Sequence, residues 1–187
     1  MSGPRVLVTY ASRHGATREL AEALARDLVA SDAGREVGLY AAAVAAESRP
    51  DPSSWDAVVL GSAVYAGRWL PAARDLATQR AGALRRRPVW LFSSGPIGDP
   101  PYPTDEAQDA PAIAALVAPR GHRVFPGRLD KALLGFAERA VVTAMRAPLG
   151  DFRDWDAVRA WAGEIAGAVA VSSAAAAAEP LVTPDVS

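Results

Sequence analysis

The sequence predicts an α/β domain with a parallel sheet covered by helices on both faces, and three observations predict it. Short apolar runs, Arg5–Tyr10, Trp55–Ser62 and Pro88–Ser93, read as buried strands. Segments of helical periodicity separate these runs, so strand and helix alternate along the chain. Glycine-containing loops follow the strands, on the side where such sheets receive ligands. Right-handed crossovers between parallel strands then give three layers.

The first strand is expected over Arg5–Tyr10 (RVLVTY). In the helix after it, Leu20, Leu24 and Leu28 recur every fourth residue with Ala21 and Ala25 beside them, while Arg18, Glu22 and Arg26 lie on another face. Gly34 supplies a stop, and Glu36–Tyr40 (EVGLY) reads as a second strand diluted by Gly38. Ser48–Ser54 has the proline and serine content of a loop, and Trp55–Ser62 is the third strand. A helix over Leu70–Leu84 carries Pro71 in its first turn, and Pro88–Ser93 is the fourth strand, entered through proline. Thr104–Ala118 reads as a helix interrupted or bent near Pro111, His122–Phe125 as a fifth strand, and Asp154–Val171 as the last helix. From Ser172 onward an alanine tract gives way to two prolines, so a single domain over 1–171 is expected to end in a frayed or disordered tail, 172–187.

Composition narrows the function. The 187 residues suit one domain, and 50% hydrophobic with 22% charged residues is the balance of a folded globular chain. A net charge of -1 gives no electrostatic reason for nucleic-acid binding, and the run Arg85, Arg86, Arg87 is too short to supply one. The absence of cysteine excludes disulfides, thiolate metal sites and cysteine catalysis, and two histidines, His14 and His122, are too few for a histidine-rich metal centre. The start of the chain lacks the pattern of a secretory signal, and no apolar run reaches the ~18 residues that span a bilayer, so a cytoplasmic location is expected.

Three loops carry chemistry. After strand one, Ala11–Thr17 places two hydroxyls, a glycine and several backbone N–H groups at a helix N-terminus, an arrangement that favours a phosphate; a capped turn would use the same residues. Neither the G-x-G-x-x-G of a dinucleotide site nor the G-x-x-x-x-G-K-S/T of a nucleoside triphosphatase is present. A phospho-accepting receiver domain would need acidic residues where this chain has Tyr10, Ala11 and Ser62. After strand three, Gly61–Trp69 offers two glycines and two aromatics at the sheet rim; Tyr65 is the better candidate to stack on a flat ring, since Trp69 equally suits sealing the sheet edge. After strand four, Ser93–Asp99 is small and glycine-rich and suits backbone contacts to a ring edge or an ordinary turn.

Jointly these loops resemble those of the flavodoxin family. Ser12-Arg13-His14-Gly15-Ala16-Thr17 is similar to its S/T-x-S/T-G-x-S/T phosphate loop, and Val58-Val59-Leu60-Gly61-Ser62 resembles its third strand and the start of its isoalloxazine loop. The resemblance implies a three-layer flavodoxin-like fold, a five-stranded parallel sheet in the order 2-1-3-4-5, and FMN bound non-covalently after strands one, three and four. It places Ser12, Arg13, His14, Gly15, Ala16 and Thr17 at the phosphate. It places Ser62, Ala63, Val64, Tyr65, Ala66, Gly67 and Trp69, with Ser94, Gly95, Pro96, Ile97, Gly98 and Asp99, around the isoalloxazine ring.

Within the family the chain most resembles the flavodoxin-like, menaquinone-dependent protoporphyrinogen IX dehydrogenases, from Arg5 to about Val171. That resemblance rests on the run Ser12–Glu19, on Gly61–Gly67 and on an insertion after strand five, where Phe125–Asp130 leads into a helix over Lys131–Arg146. In this helix Leu129, Leu133, Phe136, Ala140, Val141, Ala144 and Met145 form an apolar stripe opposite Lys131, Glu138 and Arg139. It reads either as a lid or docking surface for a quinone or another apolar redox partner, or, more plainly, as a helix buried on its own domain. The insertion is shorter and poorer in basic and aromatic residues than the resemblance leads one to expect.

The expected function is that of an FMN-dependent oxidoreductase in which the flavin does the chemistry, so no catalytic side chain is assigned. A flavodoxin in the strict sense, a carrier docking on proteins, is the alternative; the near-neutral charge tells mildly against it. A flavodoxin-like binding module without FMN is the second alternative. The partner is expected to be a redox protein or a quinone-type small molecule, with no transmembrane segment and with peripheral membrane contact left open. Nothing in the sequence speaks to the oligomeric state.

Overall fold

Val6, Leu7 and Val8 of β1 (Arg5–Ala11) are fully buried, and because strand side chains alternate they serve two cores, one on each face of a sheet. The computed structural model describes residues 3–95, 97, 106–144 and 146–178. In chain order β1 is followed by α1 (Ala16–Ala30), α2 (Asp32–Glu36), β2 (Tyr40–Ala45), β3 (Ala57–Tyr65) and β4 (Arg68–Trp69). Then come α3 (Pro71–Gln79), α4 (Ala81–Arg85), β5 (Val89–Ser94), α5 (Ala110–Val117) and β6 (Gly121–Phe125). The chain continues through β7 (Arg128–Leu129), α6 (Phe136–Ala144), β8 (Gly150–Asp151) and α7 (Trp155–Ala178).

Parallel pairing in the order β2-β1-β3-β5-β6 reproduces the expected order 2-1-3-4-5, and the short β4 adds an antiparallel sixth strand on β3. Leu20, Leu24 and Leu28 of α1 and Val158, Trp161 and Ile165 of α7 cover one face, packing on Val6, Val8, Val59 and Phe92. On the other face Leu76 of α3, Leu84 of α4 and Ile113 of α5 pack on Leu7, Leu60 and Leu91. Residues at the carboxyl ends of β1, β3 and β5 line a cleft at the sheet rim.

Several elements depart from the expected boundaries. Glu36–Tyr40 is not the second strand: Glu36 ends α2, Gly38 turns the chain at φ +64, and the strand is Tyr40–Ala45. Its alanines favour helix in isolation, but parallel pairing with β1, from Arg5 opposite Tyr40 to Tyr10 opposite Ala45, overrides that preference. Gly34 does not stop α1; Ser31 does, and its hydroxyl then accepts the Gly34 N–H to cap α2. The helix expected over Leu70–Leu84 is broken at Arg80 into α3 and α4. Pro111 does not bend a long helix but sits in the first turn of α5, where its missing N–H costs nothing; the earlier Thr104 and Asp105 lie outside the described residues.

At the carboxyl end, the last helix runs beyond Val171 to Ala178, so residues 172–178 of the expected tail are helical, and 179–187 lie outside the described residues. By length and composition α7 is apolar enough to cross a membrane, with a mean hydropathy of 1.2 over 18 residues, although Asp156, Arg159 and Glu164 interrupt its apolar run. Its Val158, Trp161, Ala162, Ile165, Ala166 and Val169 nevertheless recur at helical spacing and pack into the α1-side core, as in a core helix. The insertion helix expected over Lys131–Arg146 is a 3₁₀ turn, Lys131–Leu133, followed by α6; Met145 lies outside the described residues. None of the described residues of α6 is buried, so it is not a core helix: Phe136 is 92% exposed, and only Leu134 just before the helix is buried.

Candidate functional site

The loop from β1 to α1 is built by backbone geometry. Gly15 takes φ +86, a left-handed conformation that glycine adopts without strain, and turns the chain from β1 into α1. The hydroxyl of Ser12 accepts the Gly15 N–H at 3.1 Å and holds this turn. Among the described residues no side chain caps α1, and its first residues, Ala16 and Thr17, bring the positive end of the helix dipole to the cleft. Ser12, Arg13, His14, Ala16 and Thr17 line a cleft of about 160 Å³ above this end.

The second wall is strand rather than loop. β3 continues through Tyr65 and turns on Ala66 (φ +48) and Gly67 (φ +73) into β4, a two-residue hairpin with both central residues left-handed. Ala63, Val64 and Tyr65 line the cleft. Ser62 does not: its buried hydroxyl accepts the Leu70 N–H at 2.9 Å and donates to the Ala63 carbonyl at 2.8 Å, closing the hairpin. Ala66 and Gly67 form the turn and are likewise not among the lining residues. Trp69 is a second correction: it is 1% exposed and packs on the α3 and α5 side of the sheet, where it cannot stack on a ligand in the cleft.

Tyr65 is the aromatic at the rim. The Arg13 guanidinium lies 5.3 Å from its ring centroid, and His14 meets it edge-on at 6.1 Å. Burial pushes the Tyr65 hydroxyl pKa up, the Glu138 carboxylate adds to this, and Arg13 opposes it. The third wall is Ser94, Gly95 and Ile97; Pro96, Gly98 and Asp99 lie outside the described residues. A Cβ on Gly95 would stand 3.2 Å from Val64 Cβ, a tight approach, whereas one on Gly127 would make only an ordinary contact, 3.5 Å from Gly95 Cα.

Gly127, Arg128 and Leu129 complete the cleft and were not among the expected site residues. The signal was the departure of the insertion from the sheet rim, which puts its first residues beside the cleft. The insertion also closes on the β1–α1 loop: Glu138 Oε1 lies 3.0 Å from Arg13 Nη2 and 3.2 Å from His14 Nε2. The Gly135 N–H, donated to Glu138 at 2.9 Å, is the main cause that holds this carboxyl below its usual range, with His14 and Arg13 adding to it. Beyond Tyr65 an apolar groove of about 320 Å³ opens between Leu129, Leu134, Ala137, Val141 and Val142.

FMN fits this arrangement in parts. The open helix end and the Ser12 and Thr17 loop suit its phosphate. The cleft alone is smaller than the ~300–1,000 Å³ of ordinary ligand pockets. The adjoining groove, which shares Arg13, Tyr65 and Leu129, supplies room for a ring. Among the described residues no group of three His, Asp or Glu side chains could hold a metal. A Ser-His-Glu array does occur on the other side of β5, with Ser93 Oγ 2.9 Å from His122 Nε2 and Nδ1 bonded to Glu106. Ser93 is 1% exposed, so the array has no substrate access and is structural.

Residues 7–156 match the model of a protein family described as Flavodoxin domain. No curated protein matches the chain. A flavodoxin from the domain Archaea is similar in fold, with a TM-score of 0.59 and 10% identity over 88% of this chain and 98% of that one. A flavodoxin from Pseudomonas aeruginosa gives 0.53 at 13% identity, over 88% and 98%. The rubredoxin oxygen:oxidoreductase of the anaerobe Desulfovibrio gigas gives 0.58 at 15% identity over 91% of this chain, which spans only 37% of that protein's length.

Proposed function

The chain belongs to the flavodoxin domain family, and from that premise we propose that it is an FMN-binding oxidoreductase whose electrons pass to or from an apolar, quinone-type small molecule. When bound, the flavin supplies one- and two-electron chemistry. The N–H groups of α1 and the Ser12 and Thr17 region hold the phosphate, while Tyr65 and the Ser94–Ile97 wall position the ring. Arg13 and Glu138 stand where cleft and groove meet and order that junction.

The observation that carries the quinone reading is the groove itself, walled by Leu129, Leu134, Val141 and Val142 and continuous with the cleft at Tyr65. Exposed Phe136, Val141 and Leu133 on the same insertion would let a cytoplasmic protein touch a quinone-bearing membrane surface. Protoporphyrinogen as the reductant is the narrower form of the same proposal. A protein-docking electron carrier is the second reading, favoured by the exposure of Tyr65 at the rim.

The test is a visible absorption spectrum before and after loading with FMN, followed by assays with a soluble quinone and with protoporphyrinogen. Retained FMN with quinone turnover supports the proposal, and retained FMN without it selects the carrier. A protein that ignores FMN is a flavin-free binding module. Ser12→Ala with Thr17→Ala is expected to weaken FMN retention, and unchanged affinity would refute the phosphate assignment.

A further inference from the structure

We propose that Arg128, carried by β7 of the insertion, makes the cleft select a phosphorylated flavin, with Glu19 and Arg153 as the residues that hold it in place. The inference rests on the FMN reading above. Arg128 lines the cleft alongside Ala16 and Thr17, and its Nη1 donates to Glu19 Oε2 at 3.1 Å. Glu19 lies in the first turn of α1, the end that would receive the phosphate. A carboxylate there suits the empty helix end but repels a phosphate monoester carrying about -1.5 to -2 charges, so it must be neutralised.

Two arginines share that task unequally. Arg153, its side chain 3% exposed, is fully committed: its Nη1 reaches the same Glu19 Oε2 at 2.7 Å, and its Nε and Nη2 take the two oxygens of Asp151 at 2.8 and 2.5 Å. Arg128 uses one nitrogen only. Among the described residues its Nε and Nη2 have no hydrogen-bond partner, which leaves one edge of a planar fork for a phosphate oxygen pair. Pairing of Arg128 opposite Asp151 in the β7-β8 ribbon, and the Phe152 N–H on the Gly127 carbonyl at 3.1 Å, fix the mount. Phosphate recognition therefore comes partly from the insertion, and not from the Ser12–Thr17 loop alone.

The experiment uses the full chain as wild type, R128M and R128K, stripped of flavin, with FMN and riboflavin titrated separately and thermal unfolding followed in parallel. R128M is expected to weaken FMN binding by roughly 10- to 100-fold while leaving riboflavin binding unchanged, the loss of a charge-assisted contact. R128K falls between, because lysine keeps the charge without the fork. Equal loss of both flavins in a folded R128M, unchanged FMN affinity, or a wild type that binds both flavins equally overturns the inference while the FMN reading stands. A wild type that binds neither overturns the FMN reading and the inference with it. If R128M does not fold, R128K decides: its preference for FMN over riboflavin must fall.

Discussion

Trp69 donates its indole N–H to the hydroxyl of Ser93 at 2.8 Å, inside the layer that α3 and α5 lay on the sheet. The same Ser93 hydroxyl lies 2.9 Å from His122 Nε2, and His122 Nδ1 is in turn bonded to Glu106. The chain of bonds ties β4, β5 and β6 to Glu106, which precedes α5. Ser93→Ala would leave the buried indole N–H unpaired and is expected to cost about 1–3 kcal/mol. Urea unfolding measures this, and an unchanged midpoint would show that the array contributes nothing. FMN affinity should not change, because this face of β5 is turned away from the cleft.

Tyr65 and Trp69 should separate cleanly on mutation. Tyr65 is 36% exposed at the cleft and Trp69 is buried in the core. Tyr65→Ala is expected to change the absorption spectrum or potential of bound FMN, with little loss of stability. Trp69→Ala is expected to cost about 3–5 kcal/mol, with the spectrum of the surviving folded protein unaltered. Parallel spectra and denaturation curves decide the assignment, and the reverse pattern would exchange the two roles.

The alternation of strand and helix was legible because the buried strands are continuous apolar runs and α1 carries its leucines at one spacing. The second strand was not: Tyr40–Ala45 is stabilised by its neighbour β1, and nothing local in an alanine run announces that. At the site, Ser12, Arg13, His14, Ala16, Thr17 and Tyr65 could be placed at the rim from their positions after strands, and they line one cleft. Ser62 and Trp69 could not, because the Ala66-Gly67 turn sends the chain back into the opposite layer, and an Ala-Gly pair is a weak hairpin signal. Arg128 was hidden for a related reason: its role depends on Glu19, 109 positions away in sequence.

Gly61 stands mid-strand in β3 because the Phe92 ring lies over it. A Cβ there would fall 2.0 Å from Phe92 Cε1, and Phe92 is itself held edge-on by Phe125 and Trp161 at 6.2 and 6.4 Å between centroids. With no free side to turn to, the ring must push the α7 layer outward. Gly61→Ala is expected to destabilise by about 1–3 kcal/mol or more. Thermal unfolding tests it, and Gly82→Ala on α4, where nothing lies within 4 Å of the new Cβ, is the control expected to be neutral or better.

Acid should loosen the joint between the insertion and α1. The Asp151 carboxyl is held below its usual range chiefly by the hydrogen bond from Arg153, against an opposing effect of burial. For Glu19, burial pushes the pKa up, but the bonds and charges of Arg153 and Arg128 outweigh it and the net shift is downward. Depressed carboxylates bind fewer protons folded than unfolded, so their contribution is complete above the ordinary values of 3.8 and 4.5 and is lost as pH falls through the lower folded ones. The unfolding free energy is therefore expected to fall as the pH drops below about 5. Arg153→Met should lower stability at neutral pH and flatten that acid slope, since neither carboxylate then keeps its main partner. Identical slopes in wild type and variant would place the acid sensitivity in other carboxylates.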